Sequence, residues 1–157
     1  MKITLLQIDK TDQKWVDDGF EMYLKRIQHY VSFSVSTIVY PKINRNKSID
    51  LQKKEEAQLL LKEFAKYDLI VLLDENGNQF SSIEFSKQIN KWNLSGKKHL
   101  AFIIGGPYGF DEIVYDTVKD KISLSKMTFS HQMIRIFFIE QLYRAFSILK
   151  GEKYHHE

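Results

Sequence analysis

Cysteine, long apolar runs and a strong charge imbalance are all missing from this 157-residue sequence. The absence of cysteine excludes disulfides, thiolate nucleophiles and thiolate metal sites. The longest apolar runs, 69–73 and 100–104, fall far short of the roughly 20 residues that a membrane helix requires. A net charge of +3 is mild, so any contact with nucleic acid must come from a local patch or from the combined surface of a dimer.

What is present suits one hydrophobic core, because 43% of the residues are hydrophobic and 13% are aromatic. We therefore predict a single domain spanning residues 1–157. The opening stretch, MKITLLQIDKTD, is too short and too soon acidic for a signal peptide, so we expect a soluble, cytoplasmic protein. Internal repeats and low-complexity tracts are absent.

Strand-like and helix-like patterns alternate along the chain. Such alternation predicts an α/β domain with a mostly parallel sheet flanked by helices. The last helix contains no proline, and Gly151 stands where a C-cap glycine belongs. The predicted strands are 3–8, 33–40, 69–73, 100–104 and 122–125, and the predicted helices cover about 16–27, 47–66, 83–92 and 130–149.

The stretch FIIGGPYGF, residues 102–110, sets a buried strand directly against Gly105 and Gly106. Glycines in this position either allow a tight turn or let another group approach the main chain. The stretch matches neither G-x-G-x-x-G nor the Walker pattern, and Asp111 and Glu112 follow where a phosphate would otherwise be bound. A neutral or cationic ligand fits better, and a purely structural turn is the alternative.

Two further strand ends carry similar loop chemistry, at 73–77 (LDENG) and at 124–129 (LSKMTF). Ligands of open parallel sheets lie outside the carboxyl ends of the strands. If the three strands are neighbours, their loops form one pocket.

Several motifs carry a family resemblance: LLDENG, FIIGGPYG, ISLSKMTFSH, EQLYRAF and the terminal YHHE. With these motifs the chain resembles the RlmH family, ribosomal RNA large-subunit methyltransferases of the trefoil-knotted SPOUT class. The resemblance implies a C-terminal trefoil knot, S-adenosyl-L-methionine as methyl donor and a homodimer. It also implies methylation at N3 of a pseudouridine in 23S ribosomal RNA, within the assembled ribosome.

The resemblance also assigns the cofactor-binding residues, and they fall on the three strand ends already singled out. Because S-adenosylmethionine has no phosphate and carries a sulfonium cation, Asp111 and Glu112 raise no objection to it. The implied residues are Leu73, Gly105, Leu124, Ser125, Lys126, Met127, Thr128 and Phe129.

The acceptor is an imide N–H, so some group must accept its proton or stabilise the developing anion. His155 matches the family's terminal Tyr-His pair, and we hypothesise that Tyr154 and His155 act as catalytic residues on the pseudouridine, from the partner subunit's tail. A frayed polar tail is the alternative. Where the family carries Arg or Lys, this chain has His156, which is not permanently charged. Lys153 is therefore the candidate for the positive charge that pairs with RNA phosphate.

His131 and Arg135 lie one helical turn apart beside the predicted cofactor loop, and they are candidates for contact with RNA or with the cofactor pocket. A purely local, structural role is the alternative for both residues, and for Arg135 it has equal weight. Glu140 and Arg144 are interpreted as a stabilising pair on the helix face, without a chemical role.

The last helix is apolar on two sides, which favours burial of the second side in a homodimer, with internal burial as the alternative. A dimer would also join basic patches around one RNA stem-loop, so that binding weakens with salt. The loop PKINRNKS (41–48) is interpreted as exposed, and plain solvation is the alternative to phosphate contact. The residues of these patches are Lys42, Arg45, Lys47, Lys126 and Arg135.

Three rival functions remain open at this point: a SPOUT methyltransferase acting on transfer RNA, a flavodoxin-like binding module, and a non-catalytic ribosome-associated protein. The second lacks a glycine in the loop 9–12, where a phosphate loop would follow the first strand. Two adjacent tail histidines without further ligands do not describe a metal site.

Overall fold

In the computed structural model the described residues are 1–41 and 46–156. The strands are β1 Lys2–Ile8, β2 Ser32–Ile38, β3 Leu69–Gln79, β4 His99–Ile104 and β5 Lys121–Ser123. The helices are α1 Lys14–Ile27, α2 Ile49–Phe64, α3 Ser82–Leu94, α4 Glu112–Thr117 and α5 Met133–Leu149. The strands form one sheet in the order β2-β1-β4-β3-β5, and every pairing is parallel. The predicted α/β architecture is confirmed.

Helices cover both faces of the sheet, which is why its central strands read as continuous apolar runs. Successive side chains of a strand point to opposite faces, so Leu5 and Phe102 belong to a core shared with α1, α3 and α5. Leu6 and Ile103 belong to a second core shared with α2 and α4. Because every strand pairing is parallel, the carboxyl ends of the strands lie at one edge of the sheet.

Helix α5 is sandwiched between α1 and α3, and this explains its unusual apolar circumference. Ile136 packs against Gly19 of α1, where an added Cβ would lie 3.4 Å from its Cδ1. On the sheet side, the ring of Phe138 lies 4.7 Å from that of Phe102. Helix α1 therefore covers the Ile136 side of α5, as the alternative of internal burial predicted, whereas Phe137 on another side stays 41% exposed. The homodimer itself stays a prediction.

The end of α5 follows the sequence prediction. Gly151 has a φ of +70°, its N–H donates to Ile148 O at 3.0 Å, and the N–H of Glu152 donates to Ser147 O at 3.0 Å. This pair of bonds is a Schellman motif. It turns the terminal residues away from the helix axis at a defined angle.

The main departures from the predicted elements concern β3, α4 and α5. Strand β3 continues to Gln79, so 74–77 is a bulge within the strand rather than a loop, and the register with β5 shifts between Leu73 and Asn78. The short helix α4 was not predicted as an element, and α5 begins at Met133 rather than at 130. None of the helices within the described residues is long and apolar enough to cross a membrane.

Candidate functional site

A cavity of about 700 Å³ lies at the carboxyl ends of β3, β4 and β5, which are neighbours in the sheet. The three segments singled out from the sequence therefore meet at one site. The lining includes Leu73, Asp74, Glu75, Asn76, Gly105, Gly106, Tyr108, Phe110, Leu124, Ser125, Met127, Thr128, Phe129, Ser130, His131 and Ile134. Lys53 of α2 and Tyr115 of α4 complete the wall.

The glycine loop after β4 is shaped by protein groups that approach its main chain. An added Cβ on Gly105 would lie 3.1 Å from the ring of Phe110, and one on Gly106 would lie 2.3 Å from a carboxylate oxygen of Glu56. Gly109, with a φ of +74°, closes the turn. The absence of side chains at 105 and 106 thus lets Glu56 and Phe110 pack beneath the loop and hold it against the cavity.

The bulge of β3 is held by its own first carboxylate. Asp74 accepts one hydrogen bond from the N–H of Asn76 (2.8 Å) and another from the hydroxyl of Tyr115 (2.6 Å). Burial and the bond to Asp74 raise the pKa of Tyr115, so its phenol stays a donor. Sequence reasoning missed Tyr115 and Lys53, because neither belongs to a strand end. The only signal was position: Tyr115 lies on the helix after β4, and Lys53 lies on the helix before β3.

The loop after β5 is tied both to itself and to the bulge. Ser125 Oγ accepts from the N–H of Met127 (2.9 Å), and the hydroxyl of Thr128 donates to Glu75 (2.6 Å). The ring of Phe129 lies 4.8 Å from that of Phe137 on α5. Lys126 is exposed and does not line the cavity. The structure therefore brings together all the predicted cofactor residues except Lys126.

His131 and Arg135 separate at the start of α5. His131 lines the cavity, with its Nε2 3.1 Å from the amide nitrogen of Gln132. Arg135 is 1% exposed and donates to Ile8 O (3.0 Å), Asp9 O (3.1 Å) and the hydroxyl of Thr11 (2.9 Å). Arg135 thus anchors the loop after β1, where Asp9 has a φ of +59°. This burial does not support the predicted contact of Arg135 with RNA.

The C-terminal residues pack on α1 and α5 instead of fraying. The hydroxyl of Tyr154 donates to Glu140 (3.1 Å) and lies 3.1 Å from that of Tyr23. The guanidinium of Arg144 lies 4.7 Å from the centre of the Tyr154 ring, and its Nη1 lies 3.5 Å from Nδ1 of His155. We name Tyr23, Glu140, Arg144, Tyr154 and His155 the tail cluster. The interpretation of Glu140 and Arg144 as a pair on the helix face is confirmed (2.5 Å).

Burial, together with the bonds to Tyr23 and Glu140, raises the pKa of Tyr154. Its phenol therefore serves as a hydrogen-bond donor and not as a base. Lys153 is exposed beside the cluster. Tyr30 adds a second attachment of the tail, through a bond of 2.5 Å to Glu152.

The cavity and the tail cluster lie at opposite ends of α5. Ile134 lines the cavity and Arg144 belongs to the tail cluster. Ten residues of helix separate them by about 15 Å at 1.5 Å per residue. One chain therefore does not bring Tyr154 and His155 to the cavity.

The basic loop before α2 is only partly described. Lys42 and Arg45 lie outside the described residues, and Lys47 forms an ion pair with Glu55 (2.6 Å). Across residues 1–41 and 46–156, no group of three or more His, Asp or Glu side chains is placed to hold a metal ion.

The parallel sheet, with a cavity at the carboxyl ends of β3, β4 and β5, fits a methyltransferase of the α/β-knot class. The chain belongs to the SPOUT methyltransferase family. The model of that family, described as "Predicted SPOUT methyltransferase", matches residues 1–155. This confirms the predicted fold class, and it excludes the flavodoxin-like module.

Full-length relatives carry one name, "Ribosomal RNA large subunit methyltransferase H". The protein of that name from Christiangramia forsetii is 52% identical, over 99% of each chain. The one from Porphyromonas gingivalis strain ATCC 33277 is 49% identical, over the whole of both chains. The resemblance inferred from the motifs is confirmed.

Solved structures share the fold at low identity. A probable methylase family protein from Haemophilus influenzae has a TM-score of 0.54 at 12% identity, covering 99% of this chain and 70% of the other. The tRNA (m1G37) methyltransferase from Aquifex aeolicus has a TM-score of 0.53 at 16% identity, covering 92% and 70%. At such identities the likeness extends to the fold alone.

Proposed function

We propose that the protein transfers a methyl group from S-adenosyl-L-methionine to N3 of a pseudouridine in 23S ribosomal RNA, as a homodimer whose single domain spans residues 1–157. The observation that carries this proposal is the convergence of the three family motifs on one cavity. The relatives named as large-subunit methyltransferases, which are about half identical over their full length, support the choice of substrate.

The charges around the cavity suit this methyl donor. Asp74 and Glu75 lie on one wall, where carboxylates favour a sulfonium and an ammonium group. Lys53, on another wall, can form an ion pair with the carboxylate of the methyl donor. A cavity of about 700 Å³ is within the range of ligand sites for molecules of this size.

The cofactor-contacting residues in this proposal are those that line the cavity. Main-chain groups after Leu73 and around Gly105 and the 124–129 loop would hold the adenine and ribose. Lys126, which is exposed beside that loop, is better placed to contact an RNA phosphate, as is Lys153. The residues of the 124–129 loop that line the cavity are Leu124, Ser125, Met127, Thr128 and Phe129.

When bound, S-adenosylmethionine supplies an electrophilic methyl group. The contribution of this chain to an in-line displacement is largely positioning. His131 and the three loops orient S-adenosylmethionine, and His155 contacts the pseudouridine base that accepts the methyl group. Tyr154, whose hydroxyl is committed to Glu140, fixes the tail that carries His155.

A homodimer resolves the separation of the cavity from the tail cluster. A second copy that lays its tail against the cavity would complete each site with residues of both chains. Exposed apolar side chains on α1 and α5 offer surface for such a contact: Trp15 (58%), Met22 (46%) and Phe137 (41%).

Two measurements test the proposal. Calorimetry should detect binding of S-adenosylmethionine. Mass spectrometry should detect a methyl group on a 23S pseudouridine after the protein is incubated with large subunits or whole ribosomes. Free RNA should be methylated to a smaller extent. Binding without methylation of any ribosomal substrate would contradict the proposal. Methylation of transfer RNA alone would favour the rival substrate, and absence of cofactor binding would favour a non-catalytic role.

A further inference from the structure

Within the tail cluster, an arginine faces one ring nitrogen of a histidine. Nη1 of Arg144 lies 3.5 Å from Nδ1 of His155. A guanidinium carries only donors and is always protonated, so it cannot accept a bond from the ring. Nδ1 must therefore present its lone pair to Arg144, and the proton of the neutral ring resides on Nε2.

The guanidinium is held so firmly that it cannot easily turn away. Its Nε and Nη2 donate to Glu140 at 3.1 and 2.5 Å, and its plane lies over the ring of Tyr154. Glu140 is fixed in turn by Gln141, whose amide donates to its other oxygen at 2.7 Å. Nη1 is consequently directed at His155 by the rest of the cluster.

We propose that Arg144 fixes His155 in its Nε2–H tautomer, so that His155 acts as a hydrogen-bond donor to the acceptor base and does not remove its N3 proton. The proposal rests on the proposed function and assigns a role within it. Arg144 is a positioning residue, because it acts through His155. His155 is a catalytic residue, because its Nε2–H touches the base.

The bond changes balance without a protein base. The N3–H bond breaks and its proton passes to water. The electron pair left on N3 forms the bond to the methyl carbon, while the carbon–sulfur bond breaks and its pair stays on sulfur. Negative charge develops on the imide carbonyl oxygens as the proton leaves, and a donor aimed at one of them lowers the barrier.

The tautomer can be read directly by long-range ¹H–¹⁵N NMR of ¹⁵N-histidine protein, at about pH 8, where an ordinary histidine is neutral. The His155 signals are assigned by their loss in His155→Gln. We expect Nε2 protonated and Nδ1 unprotonated in the wild type, and a mixture of tautomers in Arg144→Met. A proton on Nδ1 in the wild type would overturn the proposal.

Activity distinguishes a donor from a base. Gln at 155 keeps an N–H donor but cannot act as a base, whereas Glu keeps an acceptor and loses the donor. Under single-turnover conditions at saturating S-adenosylmethionine, we expect His155→Gln to remain within about tenfold of wild type. His155→Glu and His155→Ala should lose about 100-fold or more, as removal of an oxyanion donor does.

Faster transfer by His155→Glu than by His155→Gln would overturn the donor role. Calorimetry and thermal unfolding verify that each variant binds the cofactor and is folded. Failure of the proposed function would look different, because the wild type itself would then transfer no methyl group to ribosomal RNA.

Discussion

The two ends of helix α5 belong to sites that are held together by different kinds of contact. At its amino end, the cavity depends on main chain and on glycines against which other groups pack closely. At its carboxyl end, the tail cluster depends on charged and aromatic side chains that bond to one another. The cavity should therefore be sensitive to an added methyl group, whereas the tail cluster should be sensitive to the loss of a single polar atom.

Gly77→Ala is expected to have the largest effect. An added Cβ would lie 2.5 Å from the carbonyl carbon of Ile122 and 2.6 Å from its nitrogen, and a backbone cannot move aside as a side chain can. The substitution should push β5 from β3, cost about 1–3 kcal/mol of stability and abolish binding of S-adenosylmethionine. Urea unfolding and calorimetry measure the two effects.

Gly19→Ala is the matched control, because its Cβ would meet only Ile136, at 3.4 Å. Within α1 an alanine should leave stability unchanged or raise it by about 0.5–1 kcal/mol. Equal losses in the two variants would show that the close approach of the Ile122 main chain is not what makes Gly77 sensitive.

Gly106→Ala is expected to act on the cavity more mildly. The new Cβ meets the end of a side chain, Glu56, at 2.3 Å. A side chain can move aside more easily than a backbone, but Glu56 is buried, so part of the clash should be relieved by a shift of the loop. We expect a folded protein with cofactor affinity reduced at least about tenfold, which is about 1.4 kcal/mol. Adding Glu56→Asp, which shortens the side chain, should restore part of the affinity. Calorimetry measures the cofactor affinity of both variants. Affinities equal to that of the wild type would refute the prediction.

Sequence patterns predicted the strands and most of the cavity lining from apolar periodicity and motifs, and they predicted one shared pocket on the condition that the three strands are neighbours. They failed where the answer depends on contacts between distant segments. Arg135 was a candidate for contact with RNA, but it is buried and donates to the carbonyl groups of Ile8 and Asp9. LDENG was interpreted as a loop, since polar residues and a glycine suggest one, although β5 pairs with its far end. The tail cluster unites positions more than 100 residues apart, which no local pattern reports.

The attachment of the tail through Tyr30 weakens at high pH. The bond to Glu152, followed by burial, raises the pKa of Tyr30 to about 12, above the value of about 10 expected in the unfolded chain. Because the folded form holds this proton more tightly, its contribution to stability is complete below about pH 10 and is lost as the pH rises towards 12. In Tyr30→Phe, the free energy of unfolding should fall less steeply over that interval. Parallel slopes in chemical denaturation would contradict the assignment.

Tyr23→Phe is expected to have the smallest effect. It removes one hydroxyl, 3.1 Å from that of Tyr154, and keeps the aromatic packing. We expect a loss of about 0.5–1.5 kcal/mol with unchanged affinity for S-adenosylmethionine. A change of cofactor affinity, measured by calorimetry, would mean that the two ends of α5 are not independent.

The claim that each complete site combines the cavity of one chain with the tail of another is tested most directly by mixing two impaired variants. Gly106→Ala weakens cofactor binding in the cavity and His155→Ala impairs the tail, so each alone should transfer little methyl to ribosomal RNA when S-adenosylmethionine is held well below the dissociation constant of the wild type. After the subunits are unfolded and refolded together, half of the dimers are mixed and each has one intact site, which predicts roughly a quarter of wild-type turnover. Turnover no higher than the average of the two separate variants would contradict the account.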